Sequence, residues 1–123
     1  MTDRALDRAT RLQLRKDALL AALPPVTEQL RGSFFERTIR CGKASCKCAS
    51  GPGHRLAYVG VSLAGGRTEQ ITVPRQLVPL ARQWVANYKR WCRALERVSE
   101  INRLLLRERL AAPLPAKAGR SAR

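Results

Sequence analysis

The chain has 123 residues, 24 of them Lys or Arg and 9 Asp or Glu, for a formal net charge of +15. That length predicts one domain with frayed ends, and 45% hydrophobic residues with only 5% aromatics predict a small core that needs a staple or a partner. There is no apolar run of about 18 residues and no charged-then-apolar leader, so neither a membrane-spanning helix nor a secretory signal is expected, and the chain reads as cytoplasmic.

From Asp3 to Leu23, Ala5, Ala9, Leu12, Leu19 and Leu23 recur at steps of three and four, with Lys16 interrupting the apolar stripe. This predicts an amphipathic helix, capped by Thr2 or Asp3 and stopped by Pro24-Pro25. The stretch "GSFFERTIR", Gly32 to Arg40, is rich in strand formers and leads into a cluster of cysteines. Beyond that cluster, "RLAYVGVSL" and "RTEQITV" read as a β-hairpin, with Gly65 and Gly66 supplying the positive φ angles of its turn.

Downstream of Pro74, the residues Leu77, Ala81, Trp84, Tyr88, Trp91, Leu95, Val98, Asn102 and Leu105 alternate at four and three. Such heptad regularity predicts a long helix, clean from Pro79 because proline fits a first helical turn and breaks later ones. A helix from Pro79 to Leu110 spans about 48 Å, more than a three-stranded sheet covers. Its distal half must pack on the N-terminal helix, on a second copy of itself, or on both. Asn102 either sits buried on the seam, fixing register, or lies wet where the helix leaves its partner. The Ala/Pro-rich, basic residues 111–123 read as a disordered tail.

The expected fold is therefore α+β: an N-terminal helix (1–25), then a unit (26–110) of small three-stranded antiparallel sheet, zinc-knuckle-like loop and long amphipathic helix, and the tail (111–123). Residues 1–30 hold five basic and four acidic side chains and residues 31–123 hold nineteen and five, so the positive charge follows the first helix. An excess of this size draws polyanions and gives salt-sensitive, sequence-independent binding to phosphate backbones, with nucleic acid favoured over acidic proteins or membrane surfaces.

Cys41, Cys46, Cys48 and His54 have the spacing C-x4-C-x-C-x5-H. Three thiolates and one imidazole make a complete tetrahedral shell for structural Zn²⁺, and Lys43, Lys47 and Arg40 offset the net charge of minus one that such a centre carries. Cys46 and Cys48 share a metal only if the backbone bends at Lys47, since alternate strand side chains point to opposite faces. A redox-active thiol cluster competes with this reading, because basic neighbours favour thiolate, but the Cys-x-x-Cys spacing at a helix start is missing. A disulfide and a plain loop are the remaining alternatives. Cys92 reads as an apolar filler on the long helix.

The run "GSFFERTIRCGKASCKCASGPGH", followed by "GGRT", "VPRQL" and "WVANYKRWCRALERVSEIN", resembles a family of small prokaryotic domains of unknown function. The resemblance covers roughly Arg31 to Asn102, and it implies a Cys-Gly-Lys-x-x-Cys-x-Cys signature, a downstream His, a β-hairpin and a long C-terminal helix opening with a proline. Family members usually continue from the His with Gly-Pro-Tyr, where this chain has Arg55-Leu56-Ala57-Tyr58.

Together these features lead to a non-catalytic, zinc-stabilised nucleic-acid-binding module. Arg40, Lys43, Lys47 and Arg55 around the cluster, and Arg82, Lys89, Arg90, Arg93, Arg97 and Arg103 along the helix, are the expected phosphate contacts. DNA is slightly preferred to RNA, because Phe34, Phe35 and Tyr58 read as core and no surface aromatics are left to stack bases. The alternative is an assembly adaptor, or homo-oligomer, working through the long helix without a nucleic-acid role. An enzyme is not expected: carboxylates are few, no Ser-His or carboxylate pair stands out, and a filled Cys3His shell leaves no open metal position.

Overall fold

The computed structural model describes residues 3–110. Thr2 and the expected tail, residues 111–123, lie outside the described residues. The elements are helix α1 (Asp3–Ala21), strands β1 (Ser33–Ile39), β2 (His54–Ser62) and β3 (Thr68–Thr72), and helix α2 (Val78–Arg107). The fold is the α+β arrangement the sequence implies, with the cysteine loop between β1 and β2.

Two compact units divide the chain: one is α1 with the chain from Trp91 onward, the other Pro24–Arg90. Each has its own small apolar cluster, so the expected single core is corrected to two. The reason lies in α2, whose 30 residues extend about 45 Å, beyond what a small sheet can bury.

In the first unit Ala9 and Leu12 of α1 are buried with Ile101 and Leu105 of α2, and Leu19, Leu104 and Leu110 pack around them. The two helices run antiparallel: Arg8 pairs with Glu108 at 2.8 Å, and a turn or two along, Lys16 Nζ donates to Asn102 Oδ1 at 2.8 Å. The two polar breaks in the apolar stripes thus face each other. Asn102 is exposed, as the wet reading expects, but α2 has not left its partner there, since Ile101 and Leu105 on either side of it are buried against α1.

In the second unit the strand order is β1-β2-β3, antiparallel throughout, with Phe34 opposite Val59, Phe35 opposite Tyr58 and Tyr58 opposite Thr72. Opposed residues share a face, so one face carries Phe34 and Val59 and the other Phe35, Tyr58 and Thr72. Val59 is buried with Ala81 and Val85 of α2, and Leu30, Phe34 and Val73 pack against them. Buried Asn87 donates to the Glu28 carbonyl at 2.7 Å, and the Leu30 N–H donates to the Trp84 carbonyl at 3.0 Å, tying the segment before β1 to the helix. Gly65 and Gly66 have φ of 79° and 78°, the left-handed turn expected between β2 and β3.

The heptad pattern is only partly the buried face. Ala81 and Leu105 are buried, but Leu77 and Leu95 are exposed, while Val85, Ala94 and Ile101 are buried in positions next to the expected ones. Val85 is displaced one way from the heptad positions and Ala94 and Ile101 the other, because the first half of α2 buries its face against the sheet cluster and the second half buries its own against α1.

Candidate metal centre and cationic surface

Antiparallel pairing sets the end of β1 beside the start of β2, with Ile39 opposite His54. Cys41 follows two residues past Ile39, and residues 40–53 double back to bring the other thiols to the same place. Cys46 is extended (φ −84°, ψ 144°) and Lys47–Ala49 then forms a single 3-10 turn. That turn is the bend at Lys47 that lets Cys46 and Cys48 serve one centre. Gly42 adopts φ +86°, a left-handed conformation costly for other residues. Gly53 sits so tightly that a Cβ would lie 2.5 Å from Thr38 Cγ2 and 2.6 Å from the Ile39 carbonyl oxygen. Arg40 Nη1 donates to the Gly51 carbonyl at 2.7 Å, bracing the loop across its width.

The ligand atoms of Cys41, Cys46, Cys48 and His54 all lie within 4.8 Å of one another. Cys41 Sγ is 3.5 Å from Cys48 Sγ, and Cys46 Sγ is 3.1 Å from His54 Nε2. Sulfurs on a tetrahedral zinc at ~2.3 Å stand roughly 3.8 Å apart, so the four atoms fit around one ion with small adjustments. Cys48 is buried, Cys46 half-buried, and Cys41 and His54 exposed, which anchors the centre on one side and opens it to solvent on the other. The backbone N–H of Cys41 donates to Cys48 Sγ at 3.3 Å. All four cysteines are free thiols, and Cys92 is exposed on α2, outside this group.

Local hydrogen bonding prepares the thiols for a metal. The Cys41 thiol is lowered to about 6, first by the backbone N–H of Lys43 and then by the His54 and Cys48 side chains. Cys46 is also lowered, chiefly by the backbone of Cys48. Cys48 goes the other way: the Cys41 N–H favours its thiolate, but burial and the neighbouring thiols outweigh that and raise it. The thiolates of Cys41 and Cys46 in turn raise His54. A Cys/His cluster able to hold a metal ion is thus built into the loop.

The arginines and lysines expected to contact phosphate divide into two sets. Arg82 is committed internally, 2.9 Å from Glu36 and with its guanidinium 4.5 Å over the Phe34 ring. Arg103 bonds Ser99 and Glu96, Arg97 lies 3.6 Å from Glu100, Arg40 holds the loop, and Arg90 also has a partner. Lys43, Lys47, Arg55, Lys89 and Arg93 have no ion-pair partner among the described residues.

One expectation about aromatics is corrected. Phe34 is core, but Phe35 is 46% exposed, stacked on Tyr58 with ring centroids 5.2 Å apart, on the sheet face opposite Val59. Arg37, not singled out in the sequence, places its guanidinium 5.2 Å over the Tyr58 ring. Adjacent phenylalanines in a strand must point to opposite faces, and that alternation was the signal available.

The family model named "Domain of unknown function (DUF6788)" matches residues 9–83. The chain belongs to this family. The DUF6788 match takes in α1 from Ala9, all three strands, the complete Cys/His cluster and the first turns of α2. It begins before and ends before the stretch that carried the resemblance in the sequence. No curated protein and no solved structure matches the chain. Among the described residues no helix is long and apolar enough to cross a membrane.

Proposed function

We propose that this DUF6788 protein is a non-catalytic nucleic-acid-binding module, stapled by a structural Zn²⁺ on Cys41, Cys46, Cys48 and His54. The observation that carries the reading is the uncompensated charge. On a chain of 123 residues with a formal charge of +15, Lys43, Lys47, Arg55, Lys89 and Arg93 have no ion-pair partner among the described residues, which suits release of counterions from a phosphate backbone. Zinc is the ion that a Cys3His set serves best, and four protein ligands leave no position for substrate or activated water. The ground for preferring DNA to RNA was a fully buried aromatic set, and exposed Phe35 removes it.

The test is binding of the metal-analysed protein to duplex DNA, single strands and RNA at two salt concentrations. Affinity is expected to fall steeply with salt; absent or salt-independent binding overturns the nucleic-acid role, and zero bound zinc overturns the staple. The second reading, an adaptor or homo-oligomer acting through α2, draws on Leu77, Leu80, Leu95 and Leu106, all large, apolar and exposed on or beside that helix. It calls for a defined oligomer in sedimentation and no salt slope.

A further inference from the structure

Resting on that nucleic-acid reading, we propose that the open face of the sheet is a base-stacking platform for single-stranded nucleic acid. Strand pairing puts Phe35, Arg37 and Ile39 of β1 on this face with His54, Leu56, Tyr58 and Gly60 of β2 and Gln70 and Thr72 of β3. The apolar contacts of α2 are made with the opposite face, through Val59 and Phe34.

An aromatic pair left on the solvent side of a small sheet has a cost in water that a core would have avoided. Phe35 remains 46% exposed although it lies only 25° from parallel to Tyr58, so it has apolar ring surface to spare. Gly60 keeps the floor low beside it: a Cβ there would already touch Phe35 Cε2 at 3.5 Å. Thr68, Gln70 and Thr72, along β3 on the same face, are exposed. Flat aromatic surface accepts any base by stacking, and Arg37 over Tyr58 adds a planar cation beside it.

Charge around the platform has the matching sign. Lys43 and Lys47 stand in the loop that leaves β1 at one end of this face. At the other end an open groove of about 450 Å³ joins Phe35 and Gly60 to Arg31, Tyr88 and Lys89. Bases on the rings and phosphates on the flanking cations are the two halves of single-strand recognition. A duplex hides its base faces and has no use for the rings.

The experiment is fluorescence anisotropy of the full-length, metal-loaded protein with labelled oligo-dT, oligo-U and a duplex of equal length, across a salt series. Phe35→Leu is expected to weaken single-strand binding about 10-fold, with duplex affinity and the slope against salt unchanged, because every cation that faces phosphate stays in place. Phe35→Trp is expected to bind at least as well as the native chain. Thr72→Glu, exposed on the edge strand opposite Tyr58, is expected to weaken single-strand binding where Thr72→Gln does not, and it carries the test should Phe35→Leu fail to fold. Oligo-dT and oligo-U are both expected to bind more tightly than the duplex, because stacking uses base faces that each single strand exposes. Native single-strand affinity in folded Phe35→Leu, or in Thr72→Glu should Phe35→Leu not fold, or a preference for duplex, overturns it. Those outcomes differ from failure of the functional reading, in which no nucleic acid binds in a salt-dependent way.

Discussion

Cys41, with its thiol lowered to about 6, stays a thiolate well below the ordinary thiol range near 9. The interactions favouring that thiolate are therefore complete above pH 9 and are lost as pH falls through about 6. In metal-free protein at neutral pH, iodoacetamide is expected to label Cys41 faster than Cys92, with the Cys41 rate falling as pH drops through about 6; peptide mass spectrometry reads both sites. A metal held by the cluster is expected to protect the same thiol and to be released by acid, because protons compete for every ligand. Cys48→Ser is expected to abolish metal binding in elemental analysis, whereas Cys92→Ser retains it. The ligand set was legible from residue type and spacing alone. Phe35 was not, because hydrophobicity says a ring prefers burial but not which of two faces the fold will cover.

At the level of elements, the loop's glycines and the helix seams make separate predictions. Gly53→Ala forces a Cβ into Thr38 and the Ile39 carbonyl, in backbone that cannot retreat from the sheet. Weaker metal binding and a lower melting temperature are expected, while Gly65→Ala, in open space at φ +79°, is expected to cost only about 1 kcal/mol. On α2, Ile101→Ala removes a buried side chain from a small cluster and is expected to cost about 2–5 kcal/mol in denaturant unfolding. Leu95→Ala, at 55% exposure, is expected to cost under about 1 kcal/mol although both residues look equally apolar in sequence. Asn102→Leu, which breaks only the exposed bond from Lys16, is expected to change stability by less than about 1 kcal/mol and to leave the oligomeric state unaltered in sedimentation. The helix itself was legible from its long periodic run. Its buried face was not, since each half of the helix buries the face that its own partner covers, the sheet in one case and α1 in the other.

For the whole molecule, the charge surplus is useful only where it is free. Changing Lys43, Lys47 or Lys89 to Gln is expected to lower the salt slope of nucleic-acid binding by about one for each phosphate left unneutralised. Neutralising Arg82, held by Glu36 and Phe34, is expected to reduce stability more than the slope. Titration by anisotropy alongside thermal melts separates the two effects.

Sequence alone determined the order of elements, the hairpin turn, the four candidate ligands and the sign of the surface, because each follows from local chemistry: periodicity, glycine φ angles, donor type and net charge. Only the tertiary structure decided that Lys16 meets Asn102, that the core is two clusters, which arginines are already spent on internal carboxylates, and that Phe35 faces outward. Those outcomes depend on pairing between segments far apart in the chain, where register and face are set jointly by both partners. No single stretch encodes them.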